Sequence, residues 1–333
     1  MKPGRAVIMI AAVSAASLAV APWIGPQALD WQVVLGGGGD GTGGLIFWQL
    51  RLPRILLAWL AGGSLAVAGM AFQAMFRNPL ATPFTLGVSS GASFGASLAM
   101  RAGGGAMLGS LAGLLIPVGA FCGALAAIGM VYGLAGVRRG MPVSTMLLAG
   151  VAVNFLFSSL ILLIQFTGDF AETIQVLRWT MGSLQVVGMG APASLAPIAL
   201  LLVGTLVYTR RDLDLLLAGE DIAATRGVAV RRLKSLLFLS LSLGIACVVA
   251  ACGPVGFVGL LAPHICRSLV GSRHGRLLPA SFLLGGALLV VCDTIARTVM
   301  APAELPVGVF TALLGAPFFL ILLLRGEAER RVV

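Results

Sequence analysis

Long apolar runs constrain the fold of this chain more than any other feature. They recur along nearly its whole length, and each approaches the ~20 residues that cross ~30 Å of hydrocarbon as a helix. Only 10% of the residues are charged and 59% are hydrophobic, whereas a soluble domain carries about 25% charge. The 45 glycines suit helices that pack closely inside a membrane. The sequence therefore predicts an all-α polytopic membrane protein.

The runs predict about ten transmembrane helices. Two of them are short and interrupted by Gly, Pro or Ser, which suggests two structurally related halves around a pathway. The segment 168–190 is too polar to span and is expected to form an extracytoplasmic loop with a short helix. The ten predicted spans, of which 85–101 and 257–269 are the short ones, are 6–24, 54–76, 85–101, 109–135, 143–167, 191–208, 234–252, 257–269, 277–297 and 306–324.

The positions of the basic residues predict the orientation. With a cytoplasmic N-terminus, all but five of the 22 lysines and arginines fall on the cytoplasmic side, as the positive-inside rule requires. We therefore expect a multi-pass inner-membrane protein with both termini in the cytoplasm, and no nucleic-acid partner for the net charge of +10. The first run also resembles a cleavable signal peptide, but we expect it to be retained. The five exceptions are Arg51, Arg54, Arg101, Arg178 and Arg297.

The chain offers little catalytic chemistry. It has two histidines and five cysteines, none in a metal-binding or catalytic motif, so we predict no catalytic residue, no metal site and no enzyme activity of its own. Near membrane depth the spans carry the ionisable pair Asp293 and Arg297. Their i, i+4 spacing favours local pairing, and a role of Asp293 in transport stays open. So little buried charge suggests that energy is supplied by another protein.

We expect the other protein to supply its energy through the charged segment 209–234. It predicts two short helices, DLDLLLAG and EDIAATRG, which Gly219 separates and Gly227 closes. Acidic residues begin the second helix and Arg226 ends it, as the helix dipole favours. A solvated loop that only fixes topology is the alternative. The expected apolar face of the two helices consists of Leu213, Leu216, Leu217 and Ile222.

Four stretches carry a resemblance to a known family. The motif GEDIAATRGV at 219–228 resembles the cytoplasmic coupling segment of ABC-importer permeases. The stretches 51–92, 253–279 and 304–323 resemble the permeases of the iron-siderophore, haem and cobalamin importers, the FecCD/BtuC type. The similarity runs from residue 51 onward in the order of the family. It implies the type II ABC importer permease fold and a single transmembrane permease domain over 1–333, with 209–234 as its cytoplasmic coupling loop.

The resemblance also implies partners. Two permease copies, or two paralogous permeases, would form a pore lined chiefly by the fifth, eighth and tenth spans. Two cytoplasmic ATPase subunits would carry ATP and Mg, and a periplasmic substrate-binding protein would deliver the substrate. This chain would itself bind no cofactor.

The resemblance assigns residues to three roles. The alternatives are an ordinary turn for the gate and interfacial anchoring for the outer arginines. The residues expected to contact the ATPase are Gly219, Glu220, Asp221, Ala223, Ala224, Arg226, Gly227 and Val228. Those expected to dock the binding protein are Arg51, Arg54 and Arg297, and those of a cytoplasmic gate are Asn78, Leu80 and Ser144.

The expected function is ATP-driven import of an iron chelate (a ferric siderophore or haem) or of cobalamin. No motif separates these substrates, and we favour iron chelates as the broader class. The alternative is a secondary carrier or channel driven by an ion gradient, for which the charged segment 209–234 would be dispensable.

Overall fold

The computed structural model describes residues 3–27, 29, 42–103, 112–136 and 143–330, which form helices and the turns between them. A 3₁₀ turn, Ala21–Trp23, follows the first helix, and a π-helical segment, Ile46–Arg51, leads into the third. The helices are α1 Pro3–Val20, α2 Thr42–Leu45, α3 Leu52–Phe76, α4 Val88–Gly103, α5 Ala112–Gly136, α6 Val143–Thr167, α7 Phe170–Thr180, α8 Gly190–Ala218, α9 Glu220–Thr225, α10 Val230–Cys252, α11 Val258–Val270, α12 His274–Ala296 and α13 Val307–Arg330.

A helix occupies each of the ten predicted spans. Within the described part of the chain, seven helical stretches are long and apolar enough to cross a membrane. The other three spans are α4, α11 and α13; α11 has only 13 residues, or about 20 Å of helix against ~30 Å of hydrocarbon. Left-handed residues precede the two short helices, Gly87 before α4 and Phe257 before α11. The prediction of about ten transmembrane helices with two short interrupted spans is confirmed.

Helix α3 lies at the centre of the bundle and packs against α8, α10, α11 and α12. Its side chains are buried along most of its length because many of them are alanine or glycine. The backbone of α3 touches that of α12: a Cβ atom added to Gly62 would lie 2.3 Å from the carbonyl oxygen of Gly285. Small residues thus bring the two central helices together where no hydrophobic effect acts between helices.

Helices α4 and α5 form a second close pair. Each carries two glycines four residues apart, Gly91 and Gly95 on α4 and Gly119 and Gly123 on α5. A Cβ atom added to Gly95 would lie 2.0 Å from the carbonyl oxygen of Gly119. The two backbones are therefore in direct contact, and a larger side chain at this crossing would separate the helices.

The structure corrects one prediction in the charged segment 209–234. The stretch DLDLLLA is no separate helix, because α8 continues through it to Ala218. No helix-breaking residue interrupts α8 there. Leu213 and Leu216 are buried and continue the face that Leu202, Leu206 and Thr209 begin. The helical period of that face carries α8 beyond the membrane-spanning length.

Candidate functional site

Helix α9 is a short helix with a defined start and end. It begins after Gly219, whose φ of 139° and ψ of 151° turn the chain sharply out of α8. It ends at Gly227, which has a φ of 87°. There the amide of Gly227 donates to the carbonyl of Ala224 at 3.0 Å, and the amide of Val228 donates to that of Ala223 at 3.0 Å. This pair of bonds is a Schellman motif, so the backbone fixes the shape of the segment.

A buried lysine anchors the start of α9. The Nζ atom of Lys234, on the first turns of α10, lies 2.7 Å from Oε1 of Glu220. The lysine side chain is 2% exposed, whereas that of Glu220 is 41% exposed. The ion pair joins α9 to α10 and gives the buried ammonium group its partner. Glu220 is therefore held by its own chain, which makes it a positioning residue for α9.

Helix α9 exposes charged and apolar side chains on one surface. Ala223 is buried, while Asp221, Ala224 and Arg226 are exposed. Of the residues predicted to form an apolar face, Leu213 and Leu216 are buried, whereas Ile222 is 49% exposed. It precedes the buried Ala223 by one position, and successive helical residues point about 100° apart. An apolar side chain therefore projects outward among charged ones.

A second contact fixes the same end of the bundle, called the α9 end below. Oδ1 of Asp214, in the last turns of α8, accepts a bond from the backbone amide of His274 at 2.9 Å and lies 2.6 Å from Nδ1 of that residue. Asp214 thus caps the start of α12, where an acidic group also suits the helix dipole. The helix before α9 is therefore tied to the central helix α12.

An ionic cluster occupies the opposite end of the bundle, called the Arg54 end below. The Nε and NH2 groups of Arg54 donate to the Asp293 carboxylate at 2.8–3.1 Å. The NH1 group of Arg54 lies 2.8 Å from Oε2 of Glu304, which also accepts a bond from Gln185 at 2.9 Å. Asp293 is 1% exposed, Arg54 12% and Glu304 32%. A bidentate arginine–carboxylate pair of this kind is geometrically specific.

This arrangement corrects the predicted pairing of Asp293 with Arg297. Asp293 pairs with Arg54 on α3 instead, and it lies only three residues before the end of α12, or about 5 Å along the helix. Arg297 is the residue after α12, and its NH2 group donates to the carbonyl of Ala21 at 2.7 Å. The backbone amide of Arg297 still donates to the carbonyl of Asp293 at 3.0 Å, but its side chain is held at the end of α1 and the Asp293 carboxylate is held by Arg54.

Arg51 and Arg297 both donate hydrogen bonds to backbone carbonyl groups just after the end of α1. Arg51 donates to the carbonyls of Pro22 at 3.2 Å, Trp23 at 3.3 Å and Gln27. Helix C-termini leave carbonyl groups without intrahelical partners, and a guanidinium group satisfies them and suits the helix dipole. The side chains of Arg51 and Arg297 are buried, so as placed they contact their own chain.

The electrostatics of Glu304 follow from its neighbours. Burial would raise the pKa of its carboxyl group, but hydrogen bonds from Gln185 and Arg54, with the charges of Arg54 and Arg297, outweigh this effect and hold the pKa below its ordinary value. Two cavities adjoin the group. One of 540 Å³ is lined by Arg51, Arg54 and Arg297, among others. The other, of 760 Å³, extends from Arg54 to the exposed Arg178 on α7.

A family model described as the FecCD transport family matches residues 7–325. The chain belongs to this family.

Relatives and a solved structure agree with the FecCD assignment. The hemin transport system permease protein HmuU of Yersinia pestis is 40% identical over 292 residues, which cover 86% of this chain and 85% of that protein. The cobalamin import system permease protein BtuC of Halobacterium salinarum is 41% identical over 282 residues, covering 85% and 74%. A solved structure, described as an inward-facing conformation of a metal-chelate type ABC transporter, superposes with a TM-score of 0.82 at 31% identity and covers 97% of this chain and 99% of that one.

These findings make the protein a multi-pass ABC permease of the iron-chelate, haem and cobalamin import family. Its relatives are transport permeases, which indicates a membrane subunit without enzyme activity. Among the described residues, no group of three or more His, Cys, Asp or Glu side chains is arranged to hold a metal ion.

The predicted gate residues of this FecCD chain lie on two neighbouring elements. Oδ1 of Asn78 accepts a bond from the amide of Leu80 at 2.9 Å, so this side chain closes the turn after α3. Leu80 and Ser144 are exposed. The continuation of that turn meets α6 at Gly150, six residues or about 9 Å beyond Ser144. Their role as a gate stays a prediction.

The sequence did not identify two residues of this FecCD chain that form ion pairs at the two ends of the bundle, Lys234 with Glu220 and Glu304 with Arg54. Lys234 follows Arg231 and Arg232 at the basic start of α10, so nothing in the sequence distinguishes it as the buried charge. Glu304, the second partner of Arg54, carried no signal, because the two are 250 residues apart. The roles of the eight predicted coupling residues and three predicted docking residues remain proposals.

Proposed function

We propose that this chain is the membrane-spanning subunit of an ATP-driven importer that receives a metal chelate from a binding protein outside the membrane. Helix α9 carries the proposal. It is rigidly capped, anchored through Glu220 and Lys234, and exposes apolar and charged side chains together. A loop that only fixes topology would need none of these features.

We assign α9 and its flanks to the ATPase contact. Gly219 and Gly227 give the backbone its shape, and Glu220 and Ala223 face the chain itself. The surface left for a partner comprises Asp221, Ile222, Ala224 and Arg226, with Val228 at its edge. A small apolar centre within a charged rim is the usual anatomy of a protein interface. ATP and Mg would be held by the partner subunit.

By the positive-inside rule, the α9 end would lie in the cytoplasm, together with both termini. Asp293 lies at the Arg54 end because α12 starts beside Asp214 and reaches Asp293 after 19 residues, or about 29 Å of helix. The ionic cluster would then face the binding protein. The predicted gate residues Asn78, Leu80 and Ser144 would lie at the cytoplasmic mouth.

A pair of permease subunits is the proposed assembly. Large apolar side chains are exposed at seven-residue intervals on α6, at Leu148, Phe155 and Leu162, and again on α13, at Leu313 and Leu320. These ridges lie on the fifth and tenth spans, which the family resemblance places around the pore. Two copies of this chain, or this chain and a paralogue, would bury them.

Of the three arginines predicted to dock the binding protein, we retain one as a direct contact. Arg54 is the member of the predicted trio with accessible surface, and Arg51 and Arg297 position the end of α1 beside it. Charge reversal at Arg51 plus Arg54 would also break contacts within the chain. We therefore expect Arg178→Glu, at the exposed rim of the adjoining cavity, to weaken capture of the binding protein without changing the thermal unfolding midpoint.

The matched control for this variant is Arg101→Glu, which reverses another exposed arginine assigned to the same side. Because Arg101 also donates to Thr167, the unfolding midpoint of this control is measured alongside its binding. Equal losses in both variants would show that only net charge matters and would contradict the docking site.

The decisive experiment is reconstitution of the chain with its ATPase and binding protein in lipid vesicles. ATP hydrolysis and uptake are measured with haem, several ferric siderophores and cobalamin. We expect one chelate class to stimulate both. Uptake that an ion gradient drives without ATP would refute the importer and favour the secondary carrier.

Two variants test the role of α9 in the same system. Ile222→Glu places a charge at the centre of the proposed contact and should lower stimulated hydrolysis more than tenfold. Arg231→Gln, an exposed residue of the same segment outside α9, should leave it within twofold. Normal coupling in Ile222→Glu would remove α9 from the ATPase contact.

A further inference from the structure

A basic pocket at the α9 end is lined by residues outside helix α9 itself. It encloses 240 Å³ between the last turns of α8 and the first turn of α12. The residues that line it are Arg210, Arg211, Asp214, Arg273, Gly275 and Arg276. Four guanidinium groups around one carboxylate give the pocket a strong positive charge.

The pocket's own carboxylate is already engaged. Asp214 turns its Oδ1 atom to the backbone and ring of His274. In the part of the chain that the structure describes, the four arginines take part in none of the ion pairs. Clustered like charges repel one another, so an arrangement of this kind is stabilised by an external anion.

An apolar groove continues from this pocket along the bundle. It measures 580 Å³, and Arg210 and Gly275 line both spaces. Small residues on α8 and the glycine and proline at the start of α12 leave this channel open. The groove is lined by Trp59, Ala199, Val203, Val207, Leu278 and Phe282, among others.

The position of Arg210 matches the boundary of a bilayer. Arg210 follows Gly190, the first residue of α8, by 20 positions, or about 30 Å of helix. This distance equals the ~30 Å thickness of the hydrocarbon core. A bilayer whose outer hydrocarbon boundary meets α8 at Gly190 would place the pocket at headgroup level and the groove at the level of the acyl chains.

We propose that one anionic phospholipid binds here, with its phosphate among the four arginines and an acyl chain in the groove. Guanidinium groups match phosphate through paired hydrogen bonds. The apolar groove selects a lipid over a free anion, and the positive charge selects an anionic headgroup over a zwitterionic one. The bound lipid would brace α8 against α12 directly above α9.

The test uses the purified full chain in detergent after removal of lipid. Its thermal unfolding midpoint is followed during titration with phosphatidylglycerol, phosphatidylcholine or inorganic phosphate, and bound lipid is counted by native mass spectrometry. We expect saturable stabilisation with phosphatidylglycerol and much less with the other two. Equal stabilisation by phosphatidylcholine would overturn the headgroup assignment, and full stabilisation by phosphate alone would overturn the lipid.

Substitutions in the pocket test whether the phospholipid binds there. The triple change Arg210→Gln, Arg273→Gln and Arg276→Gln should weaken phosphatidylglycerol binding about a hundredfold, at roughly fivefold for each basic group near an anionic lipid. The control, Arg231→Gln with Arg232→Gln, removes two exposed charges from the same end and should change binding less than threefold.

A third variant, Val203→Trp, fills the groove, and we expect it to weaken lipid binding while leaving the four arginines in place. Unchanged lipid binding in the triple variant, with loss of ATPase assembly instead, would overturn the proposal and assign the arginines to the partner protein.

Discussion

The buried carboxylate of Asp293 provides a quantitative test of the Arg54 cluster. Asp293→Asn keeps the shape of the side chain but removes its charge, and one carboxylate acceptor becomes an amide donor that faces Arg54. Unit charges about 4 Å apart at an effective dielectric constant of ~20 attract each other by about 4 kcal/mol. Removal of one partner from a buried pair costs about 3–5 kcal/mol in measured cases.

The structure favours the lower end of that range. Arg54 is 12% exposed and keeps its 2.8 Å contact with Glu304 after the change. We therefore expect Asp293→Asn to cost about 3 kcal/mol. For a chain of 333 residues, a loss of this size lowers the thermal unfolding midpoint by roughly 4 °C, as measured by tryptophan fluorescence of the purified protein.

A double-mutant cycle isolates the pair. Arg54→Gln and Asp293→Asn should each destabilise the protein, and the double variant should lose at least about 2 kcal/mol less than the sum of the two. Asp221→Asn, an exposed carboxylate without an ion pair among the described residues, serves as the control and should stay within about 0.5 kcal/mol of wild type. Additive losses would refute the pairing, and normal stability of Asp293→Asn would refute the reasoning from burial.

Three further predictions concern packing, the anchor of α9 and pH. Gly123→Val should destabilise the protein by at least about 1–3 kcal/mol, because a Cβ atom there would lie 2.1 Å from the carbonyl oxygen of Gly91. Gly129→Val on the same helix, with no neighbour within 4 Å, is its control, and equal midpoints would contradict the close crossing. Glu220→Gln should lower the unfolding midpoint more than Lys234→Met does. The first change leaves the buried ammonium group of Lys234 without a partner, whereas the second leaves the Glu220 carboxylate, which water can reach. The reverse order of the two midpoints would show that this ion pair does not anchor α9. The lowered pKa of Glu304 means that its stabilising effect is complete above the ordinary pKa of about 4.3 and lost as the pH falls through its lower folded value. Glu304→Gln should therefore reduce stability at pH 7, and melting curves recorded at falling pH should show its difference from wild type shrink and then vanish once the pH lies below the folded pKa of Glu304; a difference that persists in strong acid would argue against an ionised Glu304.

Much of the bundle followed from local features of the sequence. The apolar runs located the helices, and the glycine and proline residues marked the two short spans. Gly219 and Gly227 bounded α9, because left-handed or unusual backbone angles favour glycine wherever they occur. The prediction failed at DLDLLLA, where leucines read as a separate helix continue α8.

The partners of the charged groups could not be predicted in this way. Arg54 and Asp293 are 239 residues apart, and Arg51 finds its acceptors at the end of α1. From sequence spacing, Arg297 was the one candidate partner for Asp293. In the structure, Arg297 instead donates to the carbonyl of Ala21 at the end of α1.

The sequence by itself therefore determined a helical membrane protein, the order of its spans and the place of its charged segment 209–234. The length of an apolar run and the positions of glycine and proline are local properties, so each can be read from a single segment of the sequence. The tertiary structure alone decided that Lys234 is buried against Glu220, that Ile222 points outward and that four arginines meet at the end of an apolar groove. These facts depend on which helices lie side by side, and the glycine contacts that set those neighbours join residues far apart in the chain.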